Sequence, residues 1–401
     1  MRDTDVFSKL LGLDACWEVS SVDLQLEASK VVIKVEHVGG GTCPVCNRLC
    51  GVYDHSEERS WRHLDTMQFQ TIVSARVPRV ECSEHGVKQV SVPWAGSKSR
   101  FTQLFEEFAI QVLLLTRSQS RTGRLLRLSF DQIHDIMHRA VNRGLDRRSL
   151  GDIEHVSVDE KSFQKGHRYG TVLCDAVRKR VLEVVEGRDE EAASLAFASL
   201  PHPEAVKTVS LDMSEAFKSA ASKSLSSAEL IHDRFHVAML LGEAVDKVRR
   251  AEVKERPELE RSRYVWLKNP ENLTQKQKVV FELLVGIELR TADAYALKQV
   301  FRSFFAQDDV ESAEQFFNEW CAEVDKRDLV PLSKVVLTLK KNLQGLLNYV
   351  KWRLTNGYAE AVNGLIQEVK TVARGFRRFE NFRIAILFFL GKLDLNPRKC
   401  Q

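Results

Sequence analysis

Short apolar and β-branched runs dominate the first part of the chain. Val31 to Val35 and Phe69 to Val77 alternate or run apolar in the manner of strands. Gly39, Gly40 and Gly41 mark a turn between them. From Phe101 the rhythm changes. Phe101, Leu104, Phe105, Phe108, Ala109, Val112 and Leu113 recur at helical spacing. The stretch from Thr122 to Ser129 follows, and Ser129 is placed to cap a further helix from Phe130 to Val141. A short helix, a turn and a polar-faced helix predict a helix-turn-helix, with Gln132, His134, Asp135, His138 and Arg139 turned outward.

Strands return beyond residue 150. The pattern predicts them near 154–163, 169–177, 180–186, 206–212 and 228–233, with helices near 190–199 and 214–224. Three strands joined by tight turns predict an antiparallel meander, and the helix-linked strands predict parallel crossovers. That order is the one of an RNase H-like domain. Residues 241–345 lose the strand pattern and become charged and helical, broken at Pro257, Pro270 and Pro331. Their aromatics, among them Tyr264, Trp266, Phe301 and Trp320, are expected to build a helical core, so the block reads as an all-helical insertion. A last helix is predicted from Gly357 to about Arg374. Ala359, Val362, Ile366, Val369 and Ala373 would form its buried stripe, and Glu360, Asn363, Gln367, Lys370 and Arg374 its other face.

The expected fold is therefore multidomain, α+β and α/β. Residues 1–95 would form a zinc-ribbon domain and 96–150 a helix-turn-helix domain. Residues 151–240 and 346–401 would be two parts of an RNase H-like catalytic domain, with the all-α insertion at 241–345 between them.

Composition changes this picture little. A chain of 401 residues exceeds one ordinary core. Its 44% hydrophobic and 28% charged residues are ordinary for a globular protein. The formal charge of +4 does not by itself demand a polyanion. Local charge says more. Lys98, Arg100, Arg117, Arg121, Arg124, Arg127, Arg139, Arg143, Arg147 and Arg148 crowd one stretch against few acids, and Lys370, Arg374, Arg377, Arg378 and Arg383 crowd another. Basic stripes in a near-neutral chain are the footprint of nucleic-acid binding. The expected contacts are Arg121, Arg124, Arg127, Gln132, His138, Arg139 and Arg143 in the first stretch. In the second they are Asn363, Gln367, Lys370 and Arg374.

The chain holds 8 cysteines, unevenly spread, which excludes a secreted disulfide framework. The N-terminus is polar, and Ile384 to Leu390 is too short to span a bilayer. A reduced, cytoplasmic protein without a membrane partner is expected.

Two groups of residues carry chemistry. Cys43 and Cys46 form one knuckle, and Cys82 with His85 forms a second across a hairpin. Thiolates and imidazole suit tetrahedral Zn²⁺, and a closed set of four is structural. Cys50, His55 and His63 compete as ligands, Cys50 first among them. The second group is acidic. Asp159 closes Val156 to Val158, Asp212 closes Val206 to Leu211, and Glu360 opens the polar face of the last helix. A buried strand that ends in a lone carboxylate needs a counter-charge. Three such acids could converge on a pair of Mg²⁺ ions, the arrangement of phosphodiester chemistry. Asp233 is the alternative third ligand. Glu160 alternates to the opposite face, Asp175 lies within a strand, and His236 reads as a buried histidine beside the site.

Asp159 to Phe163, Leu211 to Ser214, Asp233 to His236 and Thr355 to Asn363, together with Ala373 to Phe379, resemble bacterial insertion-sequence transposases of the ISL-three group. The resemblance covers nearly the whole chain. His85 is a departure, since the group carries two cysteines in that knuckle. The resemblance implies a DDE transposase with Asp159, Asp212 and Glu360 holding two Mg²⁺ ions for in-line attack at phosphorus. It implies binding to double-stranded DNA, both the terminal inverted repeats and the target, and a homodimer assembled on that DNA. A bacterial, nucleoid-associated location goes with it. The competing readings are a DNA-binding regulator with an inactive body, and a nuclease of the same fold that never joins strands.

Overall fold

The computed structural model describes residues 3–164, 166, 168–353 and 357–398, with the side chains of residues 357–360 outside the description. The chain divides into two compact units, Met1–Arg148 with Leu393–Gln401, and Ser149–Lys392.

The first unit opens with α1 (Asp3–Leu10), followed by β1 (Trp17–Gln25), β2 (Lys30–His37), β3 (Gly41–Thr42), β4 (Leu49–Cys50), β5 (Val52–Arg62), β6 (Gln70–Cys82) and β7 (Gly86–Gln89). The main sheet has the order β1-β2-β6-β5, with β7 paired to β6. Both strands predicted from the sequence are present, and β6 runs further than expected, through Pro78 to Cys82. Pro78 is tolerated because the β5–β6 register slips between His55 and Glu58. Inward-facing Ile33, Val35, Val73 and Val77 pack with Trp17, Trp61 and Trp94. Trp94 meets Trp17 and Trp61 edge-on, with ring centroids 4.9 and 5.4 Å apart.

Three helices complete this unit: α2 (Gln103–Thr116), α3 (Gln119–Leu126) and α4 (Phe130–Arg147). Thr102 caps α2 and Ser118 caps α3. Ser129 caps α4 as expected, in a reciprocal box with Gln132. Arg127, in a left-handed conformation, ends α3 and turns the chain into α4. Gly123 is needed at this turn, because a Cβ there would stand 2.8 Å from the Leu128 carbonyl oxygen. The C-terminal stretch also belongs to this unit rather than to the segment that precedes it. Arg143 donates to the Leu395 carbonyl at 2.8 Å, and Arg147 meets Asp394 at 3.0 Å.

The second unit follows the predicted order of elements. It comprises β8 (His155–Gln164), β9 (Arg168–Asp175), β10 (Arg180–Glu186), α5 (Glu190–Phe197), β11 (Thr208–Leu211), α6 (Glu215–Ser224) and β12 (Glu229–His232). The sheet order is β10-β9-β8-β11-β12. The first three strands are antiparallel, and β11 is parallel to both β8 and β12. Val156, Val158, Leu173, Val209 and Leu211 face a core closed by Ala193, Phe197 and Phe217 of α5 and α6.

From β12 the described chain is helical to residue 352: α7 (Arg234–Glu252), α8 (Arg263–Leu267), α9 (Gln275–Val285), α10 (Arg290–Phe301), α11 (Val310–Lys326), α12 (Val330–Lys341) and α13 (Leu343–Trp352). Its aromatics build a core as expected, with Trp266, Tyr295, Phe301, Phe304, Phe317 and Trp320 buried, while Tyr264 stays exposed. The last elements are α14 (Gly357–Ala373) and α15 (Phe379–Leu390). No helix among the described residues is long and apolar enough to cross a membrane.

Candidate functional site

The two knuckles meet. Asn47, at φ 56°, lets the first knuckle close, with its N–H donating to the Cys43 carbonyl at 2.9 Å. The β6–β7 hairpin forms the second, with Cys82 paired to Gly86. The ligand atoms of Cys43, Cys46, Cys82 and His85 all lie within 4.8 Å of one another. Cys46 Sγ is 3.8 Å from Cys82 Sγ, and His85 Nδ1 is 3.6 Å from Cys82 Sγ and 3.9 Å from Cys43 Sγ. A tetrahedron with ordinary zinc bond lengths has edges of roughly 3.6–3.8 Å, so the four donors fit Zn²⁺. Hydrogen bonds from the Glu84 backbone and then from His85 lower the Cys82 thiol to about 6, favouring the thiolate that a metal needs. His85 thus completes the set of four donors, as expected from the sequence.

Of the competing ligands, Cys50 stands beside the cluster, where burial and then Cys82 and Cys43 push its thiol up, and it donates to the Arg48 carbonyl at 3.4 Å. His63 is buried against Thr102 Oγ1 at 2.9 Å, and burial lowers its pKa to about 4. His55 sits opposite Pro78 in the sheet.

The acids gather at one edge of the second sheet. Ser157 pairs with Ser210 and Leu211 with His232, so Asp159, Asp212 and Asp233 follow at the same end of three adjacent strands. Asp159 is not the last residue of its strand, as the sequence suggested. Only the pairing with β11 stops at Ser157, and β8 continues to Gln164 against β9. By alternation Asp159 and Asp212 share one face, opposite to the Val158 and Leu211 core. Burial raises the Asp212 carboxyl above its usual range, and the Asp159 charge pushes the same way. The Ser214 N–H, His236 and Lys218 oppose it. A carboxylate burdened in this way is eased by a hard cation, and the oxygen-only donors suit Mg²⁺.

Asp159 already has partners. Asn363 Nδ2 of α14 donates to its Oδ2 at 2.6 Å, and Lys161 Nζ lies 3.5 Å away. Lys370, two turns further along α14, donates to the Ser162 carbonyl. Asn363 and Lys370 thus lie on the side of α14 that docks on β8, beside buried Val362, Ile366 and Val369. Gln367 is exposed, so the polar face expected of this helix is divided, and Ala373, expected in the buried stripe, is exposed at the helix end. Arg374 lies just past the helix at φ 57°. Glu360 falls within α14, but its side chain lies outside the described residues, as do Thr355 and Asn356.

The neighbouring acids are otherwise occupied. Asp233 caps α7, accepting from the Phe235 N–H at 2.9 Å, with His236 Nδ1 at 3.7 Å. Asp175 is buried at the end of β9 between Arg178 and Arg180, at 3.4 and 3.3 Å. Glu160 meets Arg188 at 3.8 Å, and its pKa is raised by burial, with Asp212 and Asp159 adding to the rise. Lys161 was missed in the sequence, although it alternates onto the Asp159 face. Asn363 was seen, but as a DNA contact and not as a partner of Asp159.

The helix-turn-helix also differs in detail from expectation. Gln132 turns back to the Ser129 N–H at 2.9 Å. Arg139 and Arg143 do not stand free. They meet the buried Glu106 of α2 at 2.9 and 3.2 Å, because a buried carboxylate requires its counter-charge. Arg127 pairs with Asp65. His138 Nδ1 accepts from Asn142 Nδ2 at 3.2 Å. Arg121 and Arg124 remain exposed on α3.

Family comparisons agree with this layout. A transposase family model matches residues 156–386, and a model for the zinc finger of transposases IS204/IS1001/IS1096/IS1165 matches residues 40–85. A model for the helix-turn-helix domain of transposase family ISL3 matches residues 90–141. The chain is 25% identical over 355 residues to the transposase for insertion sequence element IS1001 of Bordetella parapertussis, covering 86% of this chain and 87% of the relative. It is also 25% identical over 417 residues to the transposase for IS1557 of Mycobacterium tuberculosis, covering 94% and 93%. The Cys₃His cluster within the matched zinc finger supports a structural zinc, and the helix-turn-helix supports DNA binding. The match over residues 156–386 takes in more than half of the sequence, and the chain belongs to the ISL3 (ISL-three) family of transposases.

Proposed function

We propose that this protein is a DDE-type transposase that binds the terminal inverted repeats of its element and catalyses Mg²⁺-dependent strand cleavage and strand transfer. The observation that carries the reading is the shared edge and face of Asp159 and Asp212, with α14 docked onto Asp159 through Asn363. Position 360 lies three residues before Asn363, one helical turn away, which supports Glu360 as the third acid. The meander followed by parallel crossovers is read as an RNase H-like sheet, and residues 234–352 as its all-α insertion.

Asp159, Asp212 and Glu360 would hold Mg²⁺, which would supply activation of an attacking oxygen and neutralise charge on a leaving one. The chain's own residues do the rest. Asn363 fixes the orientation of the Asp159 carboxylate, and Lys161 places a cation beside it where a phosphate can approach. Exposed Arg121 and Arg124, with His138, contact the DNA backbone at the repeats, and Gln367 and Arg374 contact it near the acids. Arg127, Arg139 and Arg143 hold the DNA-binding helices in place through Asp65 and Glu106. The active species on DNA is a homodimer bringing two ends together, at the nucleoid of a bacterial cytoplasm.

The test is cleavage of a labelled duplex carrying the repeat that flanks the gene, with Mg²⁺ and with Asp159→Ala as control. Metal-dependent nicking at the repeat boundary, lost in the variant, is the expected result. Tight binding of the repeat by the unaltered protein without any nick would sink the reading in favour of a regulator. Nicking that never proceeds to joining of a pre-cleaved end would leave a nuclease.

A further inference from the structure

Helix α9 is the least buried apolar helix of the helical block. Phe281 packs against Trp266 and Tyr295, and Leu284 is buried in the core beside them. Val279, Val280 and Leu283 of α9 stand outward with exposures of 51%, 40% and 68%, and Val285 at its end and Ile287 in the turn just past it are exposed to 49% and 37%. Val279, Val280 and Leu283 recur at three- and four-residue spacing, so they form one stripe on the outside of the helix, which Ile287 extends beyond its end. Isolated exposed apolar residues are ordinary, but a continuous stripe marks a contact surface.

The charges around the stripe point to its occupant. Lys276 and Lys278 lie near the start of α9, and Glu282 and Glu288 lie at and just beyond its end. None of the four is in an ion pair among the described residues. Both pairs sit against the helix macrodipole, which favours acids at the N-terminus and bases at the C-terminus. The helix has no acid in its first turn and no base in its last. A second α9 laid antiparallel would bring each basic start beside an acidic end and each end charge beside a favourable dipole pole. It would also cover the apolar stripe with an identical one, as a two-fold interface requires.

We propose that two copies of this chain associate through an antiparallel pairing of their α9 helices, without DNA. This names the surface for the homodimer of the proposed function, yet it rests on the stripe and its flanking charges and not on that reading. One helix pair is a small interface, so the free protein associates in about the micromolar range and tightens when both copies share a DNA complex.

The experiment is sedimentation of the full-length chain without DNA over a concentration series. The unaltered protein is expected to show a reversible monomer–dimer equilibrium. Leu283→Glu weakens it by about tenfold or more, because a carboxylate would be buried at the centre of the contact. Lys276→Glu with Lys278→Glu weakens it at low salt, and adding Glu282→Lys and Glu288→Lys to the same chain restores it to within about threefold. Leu283→Gln, milder and equally exposed, stands in if the glutamate variant does not fold by circular dichroism. A monomer at every concentration overturns the proposal, and so does a dimer indifferent to both Leu283 variants. Failure of the fourfold charge reversal to restore association overturns the antiparallel arrangement. Nicking of repeat DNA is scored separately. A monomer that nicks sinks the surface alone, and a dimer that never nicks sinks the enzymatic reading alone.

Discussion

The cysteine–histidine cage and the carboxylate edge are both candidate metal centres, and they are built in opposite ways. The cage has four donors on two tight turns, all within 4.8 Å of one another, with nothing left for a substrate. The carboxylate edge draws its residues from strands and a helix far apart in sequence, and the Asp159 carboxylate stays partly open to solvent. At Cys82 of the cage the favoured charge state is the one that binds metal, since local hydrogen bonds lower its thiol. At the edge the burden runs the other way, since burial raises the Asp212 carboxyl. A closed set of donors suits holding a fold together. An open and electrostatically burdened one suits doing work on something that arrives.

Removing the zinc should show the largest effect. Chelation or Cys82→Ser is expected to cost on the order of 5 kcal/mol in the first unit, seen as a lowered calorimetric transition together with lost zinc content and lost repeat binding. Asp159→Asn should do the reverse of a structural lesion. Nicking is expected to fall by roughly a thousandfold or more while Tm holds or rises, because one of two adjacent anions is gone. A drop in Tm like that of Cys82→Ser would erase the contrast between the two centres.

Acid should act on the first unit through an ordinary buried histidine as well as through the cage. Burial disfavours the charged form of His63 and lowers its pKa from the usual 6.5 to about 4. Its contribution is therefore complete above about pH 6.5 and is lost as pH falls toward 4, by at most about 3 kcal/mol. The difference in unfolding free energy between the unaltered protein and His63→Gln, measured from pH 8 to about pH 4, isolates this term. A difference that does not vary with pH would show that the cage alone governs acid sensitivity. The smallest effect separates two residues of one helix. Asn363→Ala is expected to slow nicking by about 10–100-fold at unchanged DNA affinity, while Gln367→Ala weakens DNA binding at unchanged kcat. Equal effects on affinity from both would return Asn363 to the role of a DNA contact.

What was legible in the sequence was mostly local. The knuckles, the Ser129 cap and the order of elements from β8 to β12 depend on neighbours a few residues apart, and all are present. The edge shared by Asp159 and Asp212 was also legible, because parallel strands that end together place their next residues together. What was not legible depends on partners distant in sequence. Nothing in the run of α4 announces that Arg139 and Arg143 serve a carboxylate on α2, since Glu106 reads as a surface residue of an amphipathic helix until its burial is known. The same holds for Asn363, whose amide reads as solvent-facing until α14 is seen lying on β8. Arginines expected at DNA therefore meet carboxylates of their own chain, because an arginine looks the same in sequence whether it faces a phosphate or a buried glutamate.

The helical block begins and ends at one strand. Asp233, directly after β12, starts α7, and α13 returns to the same strand, where Asn348 donates to the Leu230 carbonyl and Lys351 meets Glu229. Gly345 permits that return, since a Cβ there would stand 2.3 Å from the His232 ring. For the sheet, the whole block is a single closed excursion whose ends its own core already holds together. The entropy of closing such an excursion grows only with the logarithm of its length, about 0.6 kcal/mol per doubling. Helices could be added to or removed from the block at little cost to the strands that carry the acids.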